Sequence, residues 1–253
     1  MSNRSDSYQP RTRLHVAAPT LAPGATIALD AKQSHYLKAV LRLSEGDRIL
    51  VFNGRDGEWR ARIARLAKKN ASLALEAPVA PQERLPDLWL CFAPIKRDRI
   101  DYLVEKATEL GVARLQPVIT QRTVVERVNM SRLGAHAIEA AEQCGRTHVP
   151  TLAPPLRLDQ LLGDWPAPRR LMFCDEMREG ADAMAALRAV DTKPAAKPWG
   201  ILTGPEGGFA AAERQAIIAH QATAMVHLGP RVLRADTAAL VAIALWQAVL
   251  GDW

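Results

Sequence analysis

The sequence predicts an α/β protein in two parts: a small β-rich module over residues 1–80 and a larger domain with a parallel sheet over residues 81–253. Three observations predict it. From Leu88 onward, continuous apolar runs of strand length alternate with stretches of helical periodicity, as strands covered on both faces of a parallel sheet require. Before Pro78, short strand-like segments are separated by hairpin turn residues, which suggests a small barrel. Charge divides at the same place. Residues 1–80 hold 13 Lys/Arg against 7 Asp/Glu, a net of +6, whereas the remainder holds 20 of each. The basic excess therefore marks the first part as the candidate nucleic-acid contact.

In the first part, Arg11–Val16 alternates charged and apolar residues and reads as a strand. His35–Leu43 has apolar residues at helical spacing (Tyr36, Leu37, Val40, Leu41), with Lys38 and Arg42 on the polar side. Ser44–Asp47 is a turn. Arg48–Phe52 and Trp59–Leu66 form a hairpin around Asn53-Gly54 and Asp56-Gly57. Along its second strand Arg60 and Arg62 alternate with Ala61 and Ile63, so both arginines share one face. Ala71–Val79 is a further strand. The three prolines of Ala77–Pro86 mark a linker.

In the second part, Leu88–Ile95 is a buried strand and Asp98–Leu110 a helix closed by Gly111. Val112–Thr120 returns as a strand. Ser131 caps a helix to about Cys144, and Leu158–Trp165 holds a short helix. Arg170–Met177 is a strand and Gly180–Val190 is helical. Two strand–loop–helix units then close the chain, with Thr203–Phe209 (TGPEGGF) and Leu228–Ala238 (LGPRVLRADTA) as their loops. The last helix, Ala238–Leu250, is apolar nearly all round. It must be buried on every side, in part by a second subunit. It is too short to span a bilayer.

Loops at the carboxyl ends of parallel strands bind ligands, so both glycine loops should line one pocket. Gly204, Gly207 and Gly208 allow close backbone approach. Glu206 would repel phosphate, and neither GxxxxGK[ST] nor GxGxxG occurs. A flat ligand carrying positive charge fits better, and S-adenosylmethionine is one. Cys91, Cys144 and Cys174 are far apart, with no CxxC pair. That argues against disulfides or a zinc site and for a reducing cytoplasm. The polar Met1–Arg13 segment does not resemble a signal peptide.

The wording of the two loops, together with His35–Asp47 (HYLKAVLRLSEGD), Lys96–Val112 (KRDRIDYLVEKATELGV) and Glu139–Arg146 (EAAEQCGR), resembles the RsmE family, the 16S ribosomal RNA (uracil-N3)-methyltransferases of the SPOUT superfamily. The resemblance implies a PUA-like RNA-binding barrel, a SPOUT domain with a trefoil knot around S-adenosylmethionine, a homodimer, and small-subunit ribosomal RNA as partner, with no metal. It implies cofactor contacts at Leu202, Thr203, Gly204, Glu206, Gly207, Gly208, Leu228, Gly229, Val232 and Leu233. Arg234 and Arg231 are the candidates for stabilising a deprotonated uracil, because a guanidinium is a permanently charged fork. Arg11, Arg13, Arg42, Arg60, Arg62, Lys96, Arg97, Gln143 and Arg146 are the candidate RNA contacts. Two departures stand out from the family wording. Ala235-Asp236 replaces Thr-Glu, and Ala210 stands where a capping Ser is usual. Asp236 reads as the N-cap of the last helix. Action on another RNA, or RNA binding without catalysis, are the competing readings.

Overall fold

A computed structural model of the chain describes residues 12–68, 70–125, 127–190 and 198–253, with the side chain of Arg97 outside the description. Arg11 lies outside the described residues. The chain divides into two compact units, Met1–Arg84 with Ala141–His148, and Leu85–Ala140 with Val149–Trp253.

The first unit is built on a five-stranded, barrel-like sheet. Its strands are β1 (Arg13–His15), β2 (Thr26–Leu29), β3 (Arg48–Phe52), β4 (Glu58–Leu66) and β5 (Ala71–Ala80), in the order β1-β3-β4-β5-β2. Only the β1–β3 pairing is parallel. Alternation along β4 sends Trp59, Ala61 and Ile63 inward, where they meet Leu14, Val16, Leu37, Ile49, Val51 and Leu73. The expected hairpin is present. Gly57 has a φ of 77°, and a Cβ there would strike the Ala80 carbonyl, so only glycine lets β5 pass this closely. Strand β5 continues through Pro78 to Ala80, so the first residues of the Pro-rich segment still pair, Pro78 lying opposite Trp59. The helical segment begins earlier than its apolar spacing suggested. It is α1 (Ala31–His35), capped by Asp30 and Gln33 in a reciprocal box, and it passes into a π-turn over Tyr36–Val40. Strand β2 carries too short a pattern to be read from the sequence.

Among the described residues, the second unit holds eight parallel strands: β6 (Leu88–Phe92), β7 (Arg114–Ile119), β8 (Thr151–Leu152), β9 (Leu156–Arg157), β10 (Arg170–Cys174), β11 (Ala181–Asp182), β12 (Trp199–Thr203) and β13 (Thr223–His227). Their order is β11-β13-β10-β12-β6-β7-β8, with β9 also beside β7. The helices are α2 (Arg97–Glu109), α3 (Met130–Cys144, whose last turn belongs to the first unit), α4 (Leu158–Gly163), α5 (Ala183–Arg188), α6 (Ala211–Ala219) and α7 (Ala235–Leu250). Strand alternation divides the core between the two faces of the sheet. Leu90, Phe92, Met172 and Ile201 face α2, α5 and α7, while Cys91, Leu171, Phe173 and Leu202 face α4 and α6. Both faces are covered, which is why these strands read as unbroken apolar runs. Among the described residues no helix is long and apolar enough to cross a membrane.

Three expectations change. Asn129, not Ser131, caps α3, its Oδ1 accepting from the Arg132 N–H at 3.0 Å. The N-cap of α7 is Arg234, and Asp236 lies inside the first turn, where its carboxylate accepts from the Thr237 N–H. Helix α7 is buried along one stripe, Ala239, Ala242, Ile243, Trp246 and Leu250, whereas Val241, Ala244, Leu245 and Val249 remain half-exposed. Among the described residues, this apolar helix is therefore fully covered along one stripe and partly covered elsewhere.

Gln247 is the polar member of that buried stripe. Its Nε2 donates to the Leu110 carbonyl at 2.7 Å, satisfying an end of α2 that has no helical partner, and its Oε1 accepts from the Asp252 N–H. Gln247→Leu keeps the volume and leaves that part-buried carbonyl without its donor. We expect a loss of about 1–3 kcal/mol in chemical unfolding, with the slope unchanged. Unaltered stability would show that the bond contributes nothing net.

Candidate functional site

Strands β13, β10 and β12 lie side by side and parallel, so their carboxyl ends open on one edge of the sheet. The loops after these strands enclose a cleft of about 480 Å³, within the ordinary range for a small-molecule site. The loop after β12 contributes Thr203, Gly204, Glu206, Gly207 and Gly208. The loop after β13 contributes Leu228, Gly229, Arg231, Val232, Leu233 and Arg234. The two glycine loops therefore share one pocket. Leu202 alone among the expected cofactor contacts does not line it. It is fully buried and packs with Phe173 and Phe209 behind the wall.

The third wall was not foreseen. It is the end of β10 and the loop after it, where Cys174, Asp175, Glu176, Met177 and Arg178 line the same space. The available signal was a run of charged residues (DEMRE) directly after an apolar strand. This loop carries the cleft's scaffolding. Asp175 is buried, and both its oxygens accept from Arg214, at 2.8 and 2.9 Å; Arg214 also reaches Glu179. The Arg214 guanidinium beside it holds the Asp175 carboxyl below the usual carboxylate range. Glu176 Oε1 accepts from the Phe209 N–H at 3.2 Å. Gly208 has a φ of 67°, and a Cβ there would collide with the Glu176 carboxylate. Arg178, itself at a positive φ of 60°, donates to the Pro230 carbonyl at 2.6 Å and so ties the loop after β10 to the loop after β13. Arg122 donates to the Gly207 carbonyl at 2.9 Å.

Ala210 opens α6 without a side-chain cap. Glu213 fills the gap in part, one oxygen accepting from the Ala210 N–H at 3.0 Å and the other from the Gln121 N–H at 2.8 Å. Burial pushes the Cys174 thiol up to about 12, so it is an uncharged part of the floor and not a nucleophile. Arg231 and Arg234 are exposed and make no side-chain hydrogen bond or ion pair among the described residues, which leaves both forks free at the mouth. Val232 is 77% exposed beside them.

The expected RNA contacts are less uniform. Arg13 is committed within its own unit. It bonds Glu58 at 2.6 Å and the carbonyls of Ala141, Glu142 and Arg146, and it stacks on Phe52. Arg60 shares Glu76 with Arg48. Arg42 and Arg62 are exposed. Lys96 is exposed at the start of α2, and nothing is described of the Arg97 side chain. Gln143 is exposed on α3, but Arg146 is not its companion. The helix ends at Cys144, Gly145 turns at a φ of 88°, and Arg146 is only 6% exposed. Burial removes it from the solvated face that the spacing suggested.

Residues 81–247 match a family model for an RNA methyltransferase domain, and residues 29–76 match one for an RNA methyltransferase PUA domain. The chain is 36% identical, over 97% of its length and 80% of the relative's, to ribosomal RNA small subunit methyltransferase E of Synechocystis. It is 32% identical to the protein of that name from Rickettsia conorii, covering 83% of this chain and 84% of that one. Among solved structures, a methyltransferase of Legionella pneumophila with bound S-adenosylmethionine superposes with a TM-score of 0.85 at 29% identity, covering 96% of this chain and 99% of that one. A ribosomal RNA small subunit methyltransferase E of Neisseria gonorrhoeae, bound to S-adenosylmethionine, does so with a TM-score of 0.83 at 28% identity, covering 97% and 100%.

The Asp175–Arg214 pair gives the loop a pH signature. Because its folded carboxyl titrates below the unfolded value of ~3.9, the pair's contribution is complete above that value and fades as pH falls through the folded one. Asp175→Asn should therefore melt below the unaltered protein at neutral pH, with the gap narrowing below about pH 4. A gap constant down to strongly acid pH would sever the link to ionisation.

Proposed function

We propose, because this chain belongs to the family of ribosomal RNA small subunit methyltransferases E, that it uses S-adenosylmethionine to methylate N3 of a uridine in 16S ribosomal RNA. The observation that carries the reading is the three-loop cleft, lined by carboxylates and, at its mouth, by two arginines that make no side-chain bond among the described residues. Its volume, its glycine-bearing walls and its lack of a phosphate-gripping lysine fit an adenosyl ligand with a cationic centre. Leu228, Gly229, Val232 and Leu233 would hold the adenine, and Thr203, Gly204, Gly207 and Gly208 the rest of the ligand. S-adenosylmethionine supplies a methyl group already activated by a positively charged sulfur.

What remains for the protein is to orient the acceptor and favour loss of the N3 proton. An ionised uracil spreads its charge over O2, N3 and O4. The Arg234 fork, without a side-chain partner among the described residues and next to the start of α7, can stabilise that anion, and Arg231 stands on the same loop. Asp236 is a poorer acid–base candidate. Its carboxylate is already engaged by Thr237 and lies 3.7 Å from Arg99.

The barrel of residues 1–80 is the RNA-binding part, with the α/β domain of residues 81–253 carrying the chemistry in the knotted SPOUT form. Exposed Arg42 and Arg62, with Lys96, are the phosphate contacts, each steepening the salt dependence of binding. The protein acts in the cytoplasm as a homodimer, and the half-exposed apolar side of α7 is the surface that a second copy covers.

Mass spectrometry of small-subunit ribosomal RNA from cells lacking this protein should show one methyluridine missing; a full complement would exclude the activity. Arg234→Ala should lower methyl transfer to small-subunit particles by about 10²-fold or more with ligand affinity little changed. Its side chain makes no helix cap, so the fold should hold. A wild-type rate would remove Arg234 from the chemistry. Light scattering at micromolar concentration should give twice the 27.7 kDa chain mass; a monomer mass would exclude the dimer.

A further inference from the structure

The geometry points to Glu176, not Glu206, as the residue that neutralises the sulfonium of the bound methyl donor; this rests on the methyltransferase reading above. Three acidic side chains line the cleft, and two are unsuited. Asp175 has both oxygens committed to Arg214, so its charge is already met. Glu206 is exposed on the outer part of its loop and makes no bond among the described residues that would fix its direction.

Glu176 is half-buried and held. Oε1 is fixed by the Phe209 N–H, and the bare Cα of Gly208 leaves room for the carboxylate directly beside the loop after β12. Oε2 accepts from no group among the described residues and is free to face the cavity. A fixed, partly desolvated carboxylate acts through a lower effective dielectric than an exposed one, so its attraction for a cation is several-fold larger at equal distance.

The ligand's ammonium carries N–H donors and can be met by loop carbonyls or by Glu206 at the rim. A sulfonium carries no N–H or O–H donor, so it is met by charge and by oxygen dipoles rather than by ordinary hydrogen bonds. Arg122, Arg178, Arg231 and Arg234 line the same cleft and would repel it. Glu176 is the one carboxylate among the described lining residues that is both fixed and unspent. A carboxylate there also favours the donor over the product, S-adenosylhomocysteine, whose sulfur is neutral.

The test is calorimetric. Glu176→Gln keeps the side-chain size and an oxygen for the Phe209 N–H but removes the charge. It should weaken S-adenosylmethionine binding at least tenfold and S-adenosylhomocysteine binding less than threefold, whereas Glu206→Gln should change the two equally. Equal losses for both ligands in Glu176→Gln, the mark of a disturbed loop, or no loss for either, would overturn the assignment. The unaltered protein gives a second measurement. Sinefungin, with an ammonium in place of the methylated sulfur, should bind more tightly than S-adenosylhomocysteine, and the reverse order would overturn the assignment as well. Failure of the unaltered protein to bind any of the three would instead overturn the methyltransferase reading.

Discussion

Parallel pairing of β13, β10 and β12 is the constraint on which the site depends. Parallel neighbours must all end at the same edge, so three loops from distant parts of the chain are delivered to one place. Nothing in the loops need attract one another for this to happen. Their mutual bonds, Arg178 to Pro230 and Phe209 to Glu176, then set the final spacing within a frame that the sheet already provides. The sheet owes its rigidity to cover on both faces, with Phe92 and Ile201 under α2 and α7, and Leu171 and Phe173 under α4 and α6.

The second unit was legible because its strands carry a strong signal. Leu88–Ile95 and Leu171–Cys174 are apolar without interruption, and glycines and prolines punctuate the loops after Thr203 and Leu228. The two glycine loops could be placed together from the rule that ligands gather at strand carboxyl ends. The loop after β10 was missed because charged residues alone do not distinguish a pocket wall from a solvated turn. Only neighbourhood decides, and neighbourhood is a property of strand order. The caps at Asn129 and Arg234 each lie two residues before the expected Ser131 and Asp236, because several nearby residues can serve and helix ends are the weakest part of any pattern.

The first unit teaches a different lesson about charge. Its net of +6 marks it as the candidate nucleic-acid contact. Yet Arg13 is spent on Glu58 and three carbonyls, and Arg48 and Arg60 lean on Glu76. Arg13 differs from the other two in kind. Its partners are part-buried, where hydrogen bonds to a charged group count for more than a solvated ion pair of about 0–1 kcal/mol. Counting cations in a sequence therefore overstates the charge available to a polyanion, because some arginines are structural fasteners. The distinction cannot be drawn without knowing which carbonyls lie nearby.

The close fit of Glu176 against Gly208 ties together the fates of two positions 32 residues apart. Any side chain at 208 would have to displace the carboxylate, and a shorter residue at 176 would leave a void over the turn. Drift at either position alone is thus penalised, and tolerated change requires paired replacement, a smaller partner on one strand's loop arriving with a larger one on the other. Two loops that never meet in the linear chain are in this sense inherited as one unit.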